Sequence, residues 1–102
     1  MAVTHVVVFT WTEDTDPDTV SAIQASLQDL VDRGEGLDGL VSWRAGRDLG
    51  LVEGNADWAV VATFTDVAAY ERYRDHPEHR RIVTESIRPH LAQRAGLQFE
   101  HE

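Results

Sequence analysis

The residues best suited to chemistry lie in the stretch "YRDHPEHRR", residues 73–81, which places Tyr73, His76 and His79 within seven positions. Histidine titrates near neutral pH, so a positioned imidazole is able to take a proton from the carbon beside a carbonyl. A tyrosine hydroxyl next to it is able to polarise the carbonyl oxygen. With His5, the stretch also offers three imidazoles, the ligand number of some catalytic zinc sites. Histidines at i and i+3 around Pro77 converge less naturally than a pair at i and i+4 on one helical face, so no metal is expected; no cofactor is expected either. Asp75 and Glu78 are expected to face solvent. A plainer reading stands beside the chemical one: His76-Pro77 is a helix break, Tyr73 continues an apolar face from Tyr70, and His79 bonds a backbone carbonyl.

Other reactive constellations lack support. There is no cysteine, no Gly-x-Ser-x-Gly, and the serines are Ser21, Ser26, Ser42 and Ser86. The glycines of "GLDGLVSWRAGRDLG" lack phosphate-loop spacing and read as a turn-rich connection. Trp43 and Trp58 read more readily as core than as a ligand platform.

The elements that must position the histidines follow from periodicity. "THVVVFTW" (4–11) reads as a strand, with His5, Val7, Phe9 and Trp11 on one face and Thr4, Val6, Val8 and Thr10 on the other. Asp16 before Pro17 caps a helix whose apolar stripe is Val20, Ile23, Leu27, Leu30 and Val31, ending at Gly34. Strands follow over 39–47 and 57–64. Thr65 is expected to cap the next helix, which stops at His76 because a residue before proline is biased away from helical backbone. Pro77 opens another helix, with Ile82, Val83 and Ile87 inward, ending near Pro89. Residues 92–100 close as a strand. With His76 as cap, His79 is the third helical residue, where the positive helix end disfavours imidazolium. Tyr73 sits in the last turn of the helix before the break, and His5 projects from a strand edge nearby.

The order β-α-β-β-α(α)-β is the ferredoxin-like pattern, an α+β fold with a four-stranded antiparallel sheet and helices on one face, here one domain over 1–102. Strand 57–64 is apolar on both sides, Trp58, Val60, Ala62 and Phe64 against Ala59, Val61 and Thr63. Its own helices cover only one face, so the second calls for a partner sheet, and a homodimer is the simplest solution.

Composition narrows the partners. The net charge is −9 and every Lys or Arg position is arginine. Arg72, Arg74, Arg80 and Arg81 alternate with Glu71, Asp75 and Glu78, a mixed-charge surface and not a nucleic-acid stripe. No apolar run is long enough for a membrane span, and the N-terminus lacks a basic leader, so no membrane partner is expected and the expected location is cytoplasmic.

His5 opening "HVVVF", Gly46 and Asp48 in "AGRDLG", the run "WAVVATFTDVAAYERY" and above all "HPEH" make the chain resemble the stress-responsive dimeric α/β-barrel (Dabb) family over nearly its whole length. The resemblance implies a ferredoxin-like protomer that closes a barrel with its mate. One branch, plant polyketide cyclases such as olivetolic acid cyclase, performs an aldol ring closure with a tyrosine and a histidine. That carries catalytic roles onto Tyr73 and His79, with His5 and His76 supporting. Trp58 stands where the cyclase has a strand histidine, and Leu27 where it has a helix tyrosine, so the pocket implied here is lined differently and suits a different substrate.

Two functions stay open at this point. One is a small-molecule protein with lyase or cyclase chemistry, binding an apolar or aromatic ligand between sheet and helices against Leu27, Val31, Trp58 and Ile82. The other is a non-catalytic, stress-stability dimer with structural histidines. A cavity beside His79 discriminates them.

Overall fold

The computed structural model describes residues 1–102. The elements run β1 (Ala2–Trp11), α1 (Pro17–Arg33), β2 (Leu40–Arg47), β3 (Trp58–Phe64), α2 (Val67–Asp75), α3 (Pro77–Ile82) and β4 (Leu91–His101). A π turn, Val83–Ile87, and a 3-10 turn, Arg88–His90, join α3 to β4. The sheet order is β2-β3-β1-β4, antiparallel throughout, and this is the ferredoxin-like fold.

Local chemistry sets the helix limits. Asp16 accepts a 2.8 Å hydrogen bond from the Thr19 backbone N–H, Pro17 opens α1, and Gly34 ends it in the left-handed region at φ 68°. The cap of α2 is Asp66 and not Thr65: its carboxylate accepts from Ala69 N at 2.8 Å. Thr65 is still tied to the strands, its N–H donating to Gly39 O at 2.8 Å, so the turn into the helix begins one residue later. Gly39 itself is required. It adopts φ +93°, and a Cβ there would meet Ala69 Cβ at 2.5 Å and Thr65 Oγ1 at 2.7 Å.

The strand alternation sorts residues into rows shared by directly paired positions. On the helix side, Val3, His5, Val7 and Phe9 of β1 and Trp58, Val60, Ala62 and Phe64 of β3 are buried, packed with Val20, Ile23, Leu27 and Leu30 of α1. On the other side, Leu97, Val6 and Val61 form one cross-strand row, beside Ala95, Val8 and Ala59. Nothing covers that face: Leu97 is 57% exposed, Phe99 48% and Val61 41%. No helix is long and apolar enough to cross a membrane.

Candidate functional site

The site is built on one row of the sheet's helix side. Register aligns Gln98, His5, Ala62 and Trp43 across β4, β1, β3 and β2. Ala62 is the small member, fully buried between two large neighbours, and α2 lowers Tyr73 onto this row. The Trp43 indole N–H donates to the Tyr73 hydroxyl at 3.1 Å. The His5 and Tyr73 ring centroids are 6.2 Å apart, and Tyr70 lies 5.1 Å from His5 on the same side. Burial pushes the Tyr73 phenol up to about 12, against a smaller downward pull from the Trp43 hydrogen bond. The hydroxyl therefore keeps its proton at neutral pH and, with Trp43 supplying the donor it accepts from, has that proton free to give.

His79 meets Tyr73 from the far side of the helix break, with ring centroids 4.4 Å apart. Its Nδ1 lies 3.2 Å from the Arg74 carbonyl oxygen. A carbonyl only accepts, so Nδ1 carries the hydrogen and Nε2 of the neutral ring presents its lone pair. The pKa of His79 is lowered, as sequence position suggests, but the first cause is burial and not the helix end; the Arg74 carbonyl opposes it. His5 is lowered further, to about 4, by burial, then by the positive charge of Arg94 and, at acid pH where it is protonated, of His79. Its Nδ1 accepts from the Gln98 amide at 2.9 Å. Both imidazoles are thus neutral at pH 7.

His76 does different work. Its Nδ1 accepts the Glu78 N–H at 3.1 Å, capping α3, and its Nε2 donates to the Glu35 carbonyl at 2.9 Å. Both nitrogens are engaged in joining the helix break to the end of α1, so the three imidazoles do not converge. No group of three or more metal-ligating side chains is gathered anywhere in the chain.

A pocket of about 640 Å³ opens between sheet and helices, lined by His5, Val7, Phe9 and Val60 of the sheet and by Leu27 of α1, Tyr73 of α2, His79 of α3 and Val83, Thr84 and Ile87 of the π turn. Of the residues expected from sequence, Tyr73, His79, His5 and Leu27 line it. His76, Val31, Trp58 and Ile82 do not. His79, Val83 and Ile87 recur at four-residue spacing and share the pocket face; Ile82, one position off that phase, is buried in the core. Trp58 lies in the next-but-one row, its indole N–H donating to Gln24 Oε1 at 2.9 Å among Phe9 and Trp11. Val31 packs against the core.

Sequence reasoning missed Trp43, the hydrogen-bond partner of Tyr73, and Gln98, the partner of His5. It also missed the charged part of the wall: Arg74, Asp75, Arg80, Arg88 and Arg94 all line the pocket. Asp75 is exposed, as expected, yet it borders the opening. Arg88 and Arg94 carried no sequence signal beyond their type, because their placement depends on the β1–β4 register and on the turn before β4.

A profile of the family described as "Stress responsive A/B Barrel Domain" (Dabb) matches residues 3–100. Among solved structures, the chain is 35% identical to a dimeric ferredoxin-like protein of unknown function from Thermobifida fusca YX, with a TM-score of 0.88 over 99% of this chain and 92% of that one. Hydroxynitrile lyase from Passiflora edulis is 20% identical, with a TM-score of 0.80 over 96% of this chain and 91% of that one. SnoaB, a cofactor-independent oxygenase from Streptomyces nogalater, is 20% identical, with a TM-score of 0.76 over 99% and 93%. The likeness to these two enzymes concerns the fold alone. A search of curated proteins finds no match.

Proposed function

The chain belongs to the stress-responsive A/B barrel (Dabb) family, and on that premise we propose that it is a homodimer whose pocket binds a small apolar or aromatic carbonyl compound and removes a proton beside the carbonyl, as a cofactor-independent lyase or cyclase. The observation that carries this reading is the Tyr73–His79 pair, rings 4.4 Å apart, at the wall of a pocket of about 640 Å³. The volume suits a ligand of drug-like size.

The chemistry divides between the pair. His79 Nε2 takes the proton from carbon, and the electron pair left behind moves onto the carbonyl oxygen. Tyr73 O–H donates to that oxygen as its negative charge grows. In a ring closure the resulting enolate attacks a second carbonyl of the same molecule, and the proton on His79 returns to the new alkoxide. His5, neutral, bounds the site without competing for the proton. The enzymes with this fold include one named a lyase and one named a cofactor-independent oxygenase.

The open sheet face bearing Val6, Val61, Leu97 and Phe99 is where a second copy packs, in keeping with the dimeric description of the Thermobifida fusca relative. The expected setting is the cytoplasm, with residues 1–102 acting as one domain. A second reading, a non-catalytic dimer with structural histidines, draws on His76, whose two nitrogens are both engaged in the fold.

The test is a thermal-shift screen of aromatic ketones and polyketide-like acids, followed by deuterium incorporation beside the carbonyl for every compound that stabilises the protein. Exchange is expected in the wild type and about 100-fold slower in His79→Ala and Tyr73→Phe, a general acid–base contribution. Equal exchange in His79→Ala, or no stabilising compound at all, sinks the catalytic reading.

A further inference from the structure

The charged wall of the pocket is lopsided. Four arginines, Arg74, Arg80, Arg88 and Arg94, face a single carboxylate, Asp75. That carboxylate is already committed: Arg74 Nε lies 2.9 Å and Arg80 Nη2 3.2 Å from its Oδ1. Elsewhere Arg81 is placed between Glu78 and Glu85, and Arg33 between Asp29 and Glu78. Arg88 and Arg94 have no acidic partner and no side-chain hydrogen bond. In a chain with 18 Asp and Glu residues and a net charge of −9, unpaired guanidiniums on one pocket stand against the general charge.

Both border the same pocket, Arg88 from the turn that leads into β4 and Arg94 from β4 itself. Arg94 stands on β4 opposite Phe9, on the helix side of the sheet. Two residues on, Gly96 stands opposite Val7 and leaves that face bare. A Cβ at Gly96 would lie 3.3 Å from an Arg94 terminal nitrogen, so the guanidinium folds back along the strand into the notch. This brings its charge toward His5. Arg88 reaches the pocket from the 3-10 turn that follows Ile87. The guanidinium fork matches the oxygens of carboxylate and phosphate, and an arginine pair beside an apolar cavity focuses potential for an anion.

We propose that Arg88 and Arg94 form an anion subsite at the pocket rim, which holds the carboxylate or phosphate head group of the ligand while its apolar body and carbonyl extend to Tyr73 and His79. The subsite rests on the pocket reading above and adds the charge of the molecule bound. It acts in binding and register; neither arginine has a part in the proton transfer.

The experiment uses three matched probes, 4-acetylbenzoate, 4-acetylphenyl phosphate and the neutral 4-acetylbenzamide, titrated calorimetrically into the wild-type protein. An anionic probe is expected to bind at least 10-fold more tightly than the amide. Arg88→Gln and Arg94→Gln each remove most of that preference and leave the affinity for the amide within about 2-fold, while Arg94→Lys retains part of it. The ratio between the carboxylate and phosphate probes identifies the head group. If acid and amide bind equally, or if the Gln variants bind the anions unchanged, the subsite is refuted and the pocket survives. If none of the three binds, both readings fall. If the Gln variants instead lower the stability of the dimer with no anion preference in the wild type, the arginines serve the partner copy and the subsite is refuted.

Discussion

The Trp43 indole N–H donates to the Tyr73 hydroxyl at 3.1 Å, across Ala62, joining the outermost strand β2 to the last turn of α2. Both partners are buried, so the bond fixes the phenol where the pocket meets the sheet. Trp43→Phe removes the donor and keeps most of the ring. The expected cost is about 1–2 kcal/mol of stability, from one buried hydrogen bond and the unpaired acceptor left behind. Urea denaturation measures it, and a loss below about 0.3 kcal/mol would show that the bond contributes nothing.

Ala62 is the space beneath that bond. Ala62→Leu places a larger side chain where the Tyr73 ring lies, between His5 and Trp43. Overpacking of this kind costs about 1–3 kcal/mol. It also displaces the hydroxyl, so ligand binding is expected to weaken even where the protein remains folded. Unchanged near-ultraviolet circular dichroism and unchanged ligand shifts would contradict this placement of Tyr73.

What the sequence discloses and what it withholds divide by range. Asp16, Pro17 and Gly34 mark α1 because caps act through neighbouring backbone, and His76-Pro77 marks the break between α2 and α3 for the same reason. Thr65 is a cap by residue type and position, but its N–H is held by Gly39 from a distant segment, and Asp66 takes the role. Tyr73 and His79 come together across a local break and so are legible. The choice of Trp43 over Trp58 is not: alternation gives the face of each strand, whereas the row that meets Tyr73 depends on the β2–β3 register. Arg94 is hidden for the same reason, since its neighbours His5 and Phe9 are about ninety residues away in the chain. Val31 and Leu27 belong to one stripe on α1, and only the packing decides that Leu27 reaches the pocket.

His5 gives the fold a pH dependence with a definite sign. Its folded pKa, about 4, lies below the ordinary 6.5, so the unfolded chain binds the proton more readily. Stability from this residue is full above about pH 6.5, is lost progressively as pH falls, and reaches its floor near pH 4. The shift corresponds to about 3 kcal/mol, reduced to roughly 2 by solvent at the pocket opening. His79, also lowered, adds in the same direction. Melting temperatures between pH 7 and pH 4 are expected to fall steeply in the wild type and more gently in His5→Gln. Parallel curves would mean that His5 is not held neutral by burial.

Gly39 combines a left-handed backbone with contacts that leave no room for a side chain. Gly39→Ala drives a methyl group against Ala69 and Thr65 and strains φ +93°, so α2 must shift away from the sheet. A loss on the order of 2–4 kcal/mol is expected. Because α2 carries Tyr73, ligand binding should suffer with it. By contrast Gly46→Ala, where a Cβ meets nothing within 4 Å, is expected to be nearly neutral. Thermal melts of the pair test the contrast, and similar losses in both would refute it.

The open sheet face makes the assembly testable without a ligand. Leu97, Val6 and Val61 form a continuous apolar row across three strands, and the exposed members are far too apolar for a face that meets only water. Packed against a second copy, the row lies at the centre of a sheet-on-sheet interface. Light scattering is therefore expected to give twice the protomer mass of 11.4 kDa at micromolar concentration. Val61→Glu with Leu97→Glu places charges in that interface. Each lies on the open face of the isolated protomer, so the fold itself survives while burying the carboxylates on association is prohibitive. The double variant should run as a folded monomer with native far-ultraviolet circular dichroism. A wild-type monomer would refute the dimer, a double variant that stays dimeric would place the interface elsewhere, and either would leave this apolar face unexplained.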